Sequence, residues 1–76
     1  MYRVEFTPGF ERDIRRLDKP DALRVIEKIE WLADNPHAVR FPLKHMPGDL
    51  KDLHKYRIGP WRVFLWINHE QQVITV

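Results

Sequence analysis

Two N-terminal helices packed on an antiparallel sheet, in the order β-α-α-β-β-β, is the α+β fold that this sequence predicts. Three observations carry the prediction. After one short strand, residues 7–35 keep a helical spacing of apolar side chains, residues 53–76 alternate as strands do, and a proline-rich stretch without sustained period lies between them. Helices grouped before a run of hairpin-linked strands argue for helices segregated to one side of an antiparallel sheet. Seventy-six residues make one domain, 1–76, and a chain this short buries only about 60% of the surface its unfolded form exposes.

The opening strand is short but regular. Tyr2, Val4 and Phe6 point one way, Arg3 and Glu5 the other. Thr7-Pro8 then starts a helix, with Thr7 at the N-cap and Pro8 at the first helical position. Phe10, Ile14 and Leu17 form its narrow apolar stripe, Glu11 and Arg15 pair across one outer turn, and the helix ends by Leu17. Asp18 caps a second helix, whose first turn holds Pro20 and Asp21. Ala22, Val25, Ile26, Ile29, Leu32 and Ala33 hold its period as far as the stop at Asn35-Pro36. Trp31 lies beside that stripe and is expected to pack against the first helix.

From Pro36 to Asp49 the chain reads as a connecting loop, with a short extended piece around Phe41 to Leu43. Three β-rich runs follow, "LHKYRI", "WRVFLWIN" and "QQVITV", split by Gly59-Pro60 and by His69-Glu70. A type II′ turn needs positive φ at its first central residue, which Gly59 supplies, and negative φ at its second, which Pro60 tolerates. Pairing across that turn sets Arg57 against Arg62, Lys55 against Phe64 and Leu53 against Trp66. One face then carries Leu53, Lys55, Arg57, Arg62, Phe64 and Trp66. The other carries His54, Tyr56, Ile58, Trp61, Val63, Leu65 and Ile67, and is expected to meet the helices.

Composition narrows the functional classes. No apolar run approaches the ~20 residues that span a bilayer. With a start that already reads as a strand, no signal peptide is expected before the fold. Without cysteine there is no disulfide framework, thiolate nucleophile or Cys-based metal site, and a cytoplasmic setting is the expectation. Histidines at 37, 45, 54 and 69 lack ligand-like spacing, so neither metal nor other cofactor is expected. No Gly-rich phosphate loop is present. Net charge is only +2, yet residues 37–62 hold Arg40, Lys44, Lys51, Lys55, Arg57 and Arg62 against Asp49 and Asp52. Clustered cations of this kind suit a polyanion, with phosphate the natural candidate. Like charges opposed across strands disfavour folding, and Arg57 facing Arg62 makes sense where an anion sits between two guanidiniums. Phe64 and Trp66 add flat surfaces for stacking a base or for a partner's apolar side chains. Against this stands a plainer reading, in which the arginines splay into solvent and the aromatics are covered by the chain's own loop.

The opening "YRVEFTPGFERDIRRL", the second helix closing on "LADNP", and above all "LKHMPGDLKDLHKYRIGPWRVFLWI" resemble the RelE/ParE toxin superfamily, the toxic halves of toxin–antitoxin pairs. The resemblance implies a toxin held inactive by a cognate antitoxin. In its RelE-like branch it implies a metal-independent endoribonuclease that cuts mRNA on the ribosome, using the ribose 2′-OH as nucleophile. Carried over position by position, Arg62 is the catalytic arginine on the scissile phosphate and Lys55 lies near the reacting 2′-OH. Arg57 falls on the RNA backbone, and Lys44 and Lys51 contact rRNA or other phosphates. Such toxins continue past the last strand with a basic segment and a near-terminal tyrosine. No residue up to Val76 matches those positions, so the sequence is expected to be either truncated or without the full catalytic set. The alternatives are a ParE-like inhibitor of DNA gyrase without nuclease residues, and an inactive binding module of the same fold.

Overall fold

A computed structural model describes residues 1–76. Strand β1 (Arg3–Glu5) leads into helix α1 (Pro8–Ile14) and helix α2 (Lys19–Asp34). Strands β2 (His54–Ile58), β3 (Trp61–Asn68) and β4 (Val73–Thr75) follow a loop that contains two short 3-10 turns, Pro36–Ala38 and Gly48–Leu50. Class and element order match the sequence expectation. The sheet order is β1-β4-β3-β2, and it departs from an all-antiparallel sheet at one edge, because β1 runs parallel to β4. A parallel pair needs a long crossover, and here the two helices and the β2–β3 hairpin supply it.

Local chemistry accounts for the helix ends. Thr7 Oγ1 accepts a hydrogen bond from the Phe10 backbone N–H at 3.2 Å, which satisfies one of the free donors of the first turn. Asp18 occupies the N-cap of α2, but its side chain makes no capping bond; Pro20 and Asp21 do the work of the first turn. Two expectations fail nearby. Glu11 and Arg15 form no ion pair, the single salt bridge being Arg3 to Glu5 at 2.9 Å across the outer side of β1. Trp31 does not pack on α1 but stands 43% exposed, with the Lys28 ammonium 3.9 Å from its ring centroid. Stacking a cation on its face is how an exposed indole off the apolar stripe finds a partner.

The core lies between α2 and the sheet. Ile29, Leu32, Leu65 and Ile74 are fully buried, with Val25, Val39, Ile58, Val63 and Val76 around them. Phe10, Ile14 and Leu17 of the α1 region pack against this cluster from the side.

The sheet ladder fixes which edge each backbone group faces. Arg3 N–H donates to Gln72 O, and Val76 N–H donates to Glu5 O, so 72, 74 and 76 turn their polar groups toward β1. By alternation, Val73 and Thr75 face β3, where Thr75 pairs with Trp66. Trp66, Phe64 and Arg62 therefore face the β4 side of β3, while Leu65, Val63 and Trp61 bond to β2.

Leu65→Ala should cost about 2–5 kcal/mol, since a fully buried side chain at the helix–sheet contact leaves a cavity. Urea unfolding followed by circular dichroism measures it. A loss below about 1 kcal/mol would mean that the helix–sheet interface is not the closed core described here.

Candidate functional site

The cationic face is a product of the β2–β3 register. Gly59 takes φ +57, as the turn demands, and the pairs are Ile58–Trp61, Arg57–Arg62, Tyr56–Val63, Lys55–Phe64 and His54–Leu65. Ile58, Val63, Leu65 and His54 are buried, whereas Lys55, Arg57, Arg62 and Phe64 are exposed. The hairpin portion of the predicted faces is thus observed residue by residue from 54 to 65. Leu53 departs from it. It sits just before β2, after Asp52 with φ +64, and is buried under the loop. Leu43 N–H donates to its carbonyl at 2.7 Å.

Arg57 and Arg62 form a non-hydrogen-bonded pair, because Arg62 turns its backbone away from β2. That is the cross-strand position at which Cα atoms come closest, about 4.5 Å apart. The side chains nevertheless part. Arg57 Nε donates to Gly59 O at 3.3 Å, and this arginine borders a shallow depression with Arg24, Lys28 and Trp31. Arg24 lies flat against the turn, its guanidinium 3.4 Å from where a Cβ on Gly59 would stand. Arg62 instead borders a deeper groove of about 650 Å³ between α1 and β3. The cations form a track around the hairpin rather than a single fork.

No carboxylate lies within ion-pair distance of Lys44, Lys51, Lys55, Arg57 or Arg62. Unpaired, exposed and of one sign, they are free to meet an anion without first breaking a salt bridge. Lys44 and Lys51 lie on the loop before β2, and Lys51 closes the second 3-10 turn. The two aromatics differ. Phe64 is 48% exposed beside Lys55 and offers an open ring. Trp66 is half-buried, and its indole Nε1 donates to the Lys51 carbonyl at 3.1 Å, so the loop covers part of it. That bond holds the Lys51 segment beside the strand.

The histidines lie elsewhere. His54 is buried with Nδ1 unpartnered. His69 Nδ1 is 2.8 Å from the Tyr2 hydroxyl, and its ring stacks on His37 at 5.4 Å, beyond the far end of β3 from Arg62. Sequence reading missed two members of this surface, Arg24 and Arg16. Arg24 sits on α2 but reaches the hairpin turn, and Arg16 follows α1 but borders the groove with Arg62. Only the tertiary fold brings them there. No helix of the chain is long and apolar enough to cross a membrane.

Residues 4–76 match a family model described as the ParE toxin of type II toxin–antitoxin system, parDE. Among solved structures, the chain is similar to one in the toxin–antitoxin complex RelBE2 of Mycobacterium tuberculosis. The likeness has a TM-score of 0.82 at 27% identity and covers 97% of this chain and 89% of that one. It is also similar to a chain of the intact E. coli RelBE toxin–antitoxin complex, with a TM-score of 0.74 at 20% identity, over 100% of this chain and 90% of that one. The second likeness bears on the fold alone. No curated protein matches in sequence.

Trp66→Phe keeps the ring and removes the bond to Lys51. It should lower stability by about 1 kcal/mol in urea unfolding and speed amide exchange along residues 48–52. Unchanged exchange there would show that the indole does not hold the loop.

Proposed function

The chain belongs to the ParE toxin family of type II toxin–antitoxin systems, and from that premise we propose that it blocks translation by cutting ribosome-bound mRNA. Its outward hairpin face is the phosphate-binding floor, and it acts in the cytoplasm until a cognate antitoxin neutralises it. One observation carries this reading: Lys55, Arg57 and Arg62 emerge together from the outward side of β2 and β3, beside the exposed Phe64, with no carboxylate paired to any of them.

In the proposed reaction the ribose 2′-oxygen attacks the adjacent phosphorus and the P–O5′ bond breaks. The 2′-hydroxyl gives up its proton to solvent as it attacks and the leaving 5′-oxygen takes one up from solvent, so that a 2′,3′-cyclic phosphate and a free 5′-hydroxyl result. Charge gathers on the non-bridging oxygens in the transition state, and Arg62 is the group assigned to stabilise it. A cation placed in advance needs no reorganisation as that charge develops. Lys55, one residue pair further from the turn, is assigned to the 2′-oxygen. Arg57 holds the neighbouring backbone, Lys44 and Lys51 meet rRNA phosphates, and Phe64 and the open part of Trp66 stack bases. His54 is buried and His69 lies at the other end of β3, so neither is assigned to the reaction, and the role proposed for the hairpin cations is electrostatic.

A second reading is favoured by the family match itself. ParE-type toxins act on DNA gyrase, and the same cationic face would then meet a protein–DNA target.

Toeprinting on translating ribosomes separates the two. Cleavage at codon-spaced positions is expected with the native protein, and Arg62→Ala should reduce its rate by at least 100-fold, as loss of one group that stabilises a developing oxyanion does. Intact mRNA together with trapped, cleaved DNA–gyrase complexes would overturn the nuclease reading and establish the second.

A further inference from the structure

A second cationic hollow lies where α2 meets the β2–β3 turn, and Arg62 does not border it. It is the depression of about 390 Å³ walled by Arg24, Glu27, Lys28, Trp31, Arg57 and Gly59. Two guanidiniums converge on the glycine. Arg24 lies 3.4 Å from where a Cβ on Gly59 would stand, and Arg57 Nε donates to the Gly59 carbonyl at 3.3 Å. Like charges drawn to one residue oppose each other, and no carboxylate relieves them, since Glu27 shares the wall without forming an ion pair. Two such forks side by side suit an oxyanion with several acceptor oxygens, phosphate above all.

The rest of the wall is one stripe of α2. Arg24, Glu27, Lys28 and Trp31 follow at spacings of three and four, which sets them on one side of the helix. At 1.5 Å of rise per residue, Arg24 and Trp31 stand roughly 10 Å apart along the axis, with Glu27 between them. The order is a cationic fork, an acceptor, then a flat ring. Phosphate, ribose and base follow one another in that same order over a comparable span. A carboxylate accepts hydrogen bonds and repels phosphate, so Glu27 suits ribose hydroxyls rather than the anion. Trp31 is 43% exposed, and the Lys28 ammonium caps its ring at 3.9 Å from the centroid. An exposed cation is held on an indole less strongly than a stacked base, and an ammonium gains more from a phosphate than from a ring.

We propose that this depression binds a ribonucleotide, with its phosphate between Arg24 and Arg57, its ribose hydroxyls on Glu27 and its base on Trp31. Lys28 turns from the indole to the phosphate as the base arrives. The site shares Arg57 with the hairpin face but not Lys55, Arg62 or Phe64, so it does not depend on the chain cutting RNA. A free nucleotide and one unit of an RNA strand present the same three groups to it.

Nuclear magnetic resonance of the ¹⁵N-labelled protein tests the site with adenosine 5′-monophosphate and, separately, with single-stranded octaadenylate. The Trp31 indole N–H and the Gly59 amide should shift together and saturably. Saturation by the monophosphate supports the site as one for a free nucleotide, and saturation by octaadenylate alone supports it as one for a unit of an RNA strand. Trp31→Ala and Arg24→Ala, both at exposed positions, should each raise the Kd read from the Gly59 amide at least tenfold. Arg62→Ala should leave it within twofold. The deoxyribose counterpart should bind at least threefold more weakly, a preference that Glu27→Ala should erase. No saturable shift with either probe, an unchanged Kd in Trp31→Ala, or equal binding of the deoxyribose ligand would overturn the proposal. A loss in Arg62→Ala as large as that in Arg24→Ala would overturn it too, and assign the binding to the hairpin face. Failure here leaves the codon-spaced cleavage test untouched, and failure of that test leaves this one.

Discussion

The ladder between β2 and β3 is the constraint on which the other features rest. Side chains on a strand alternate strictly, so a slip of one residue would carry Val63 and Leu65 to solvent and drive Arg62 and Phe64 into the core. Burying an arginine without a partner costs several kcal/mol, whereas the observed register buries Ile58, Val63 and Leu65 under α2. Hydrophobic burial on one face thereby dictates charge on the other. The cationic surface needs no separate device to assemble it.

Its fine structure comes from the ends of the hairpin. At the turn, Gly59 leaves room for the Arg24 guanidinium, and its carbonyl draws Arg57 away from Arg62. Arg57 and Arg62 border different depressions, and the result is a band of cations from α2 around the turn to β3. At the other end, Trp66 anchors the loop bearing Lys51, so cations of low sequence order still lie near the strands.

Much of this was legible in the sequence, for identifiable reasons. Thr7-Pro8, Asn35-Pro36 and Gly59-Pro60 are local signals, and each marks the boundary it predicts. The hairpin faces followed from parity alone, which is insensitive to the details of the turn. Pairing of β1 was not legible, because a strand of three residues shows its period but not its neighbour. The same limit hid Arg24 and Arg16, which reach the hairpin only across the fold. Trp31 was misplaced because position beside an apolar stripe does not distinguish packing on a helix from stacking with Lys28. The expected Arg57–Arg62 fork met a competing acceptor, the Gly59 carbonyl, that no residue count reveals.

Binding of phosphates by the outward face of the β2–β3 hairpin is tested most directly by the salt dependence of its affinity for a short single-stranded RNA. Contacts from Lys55, Arg57 and Arg62 should give log K against log salt a slope of about −2, and Arg62→Ala should make it shallower by about 0.7. A slope near zero, or one that Arg62→Ala leaves unchanged, would contradict a phosphate-binding floor at this face.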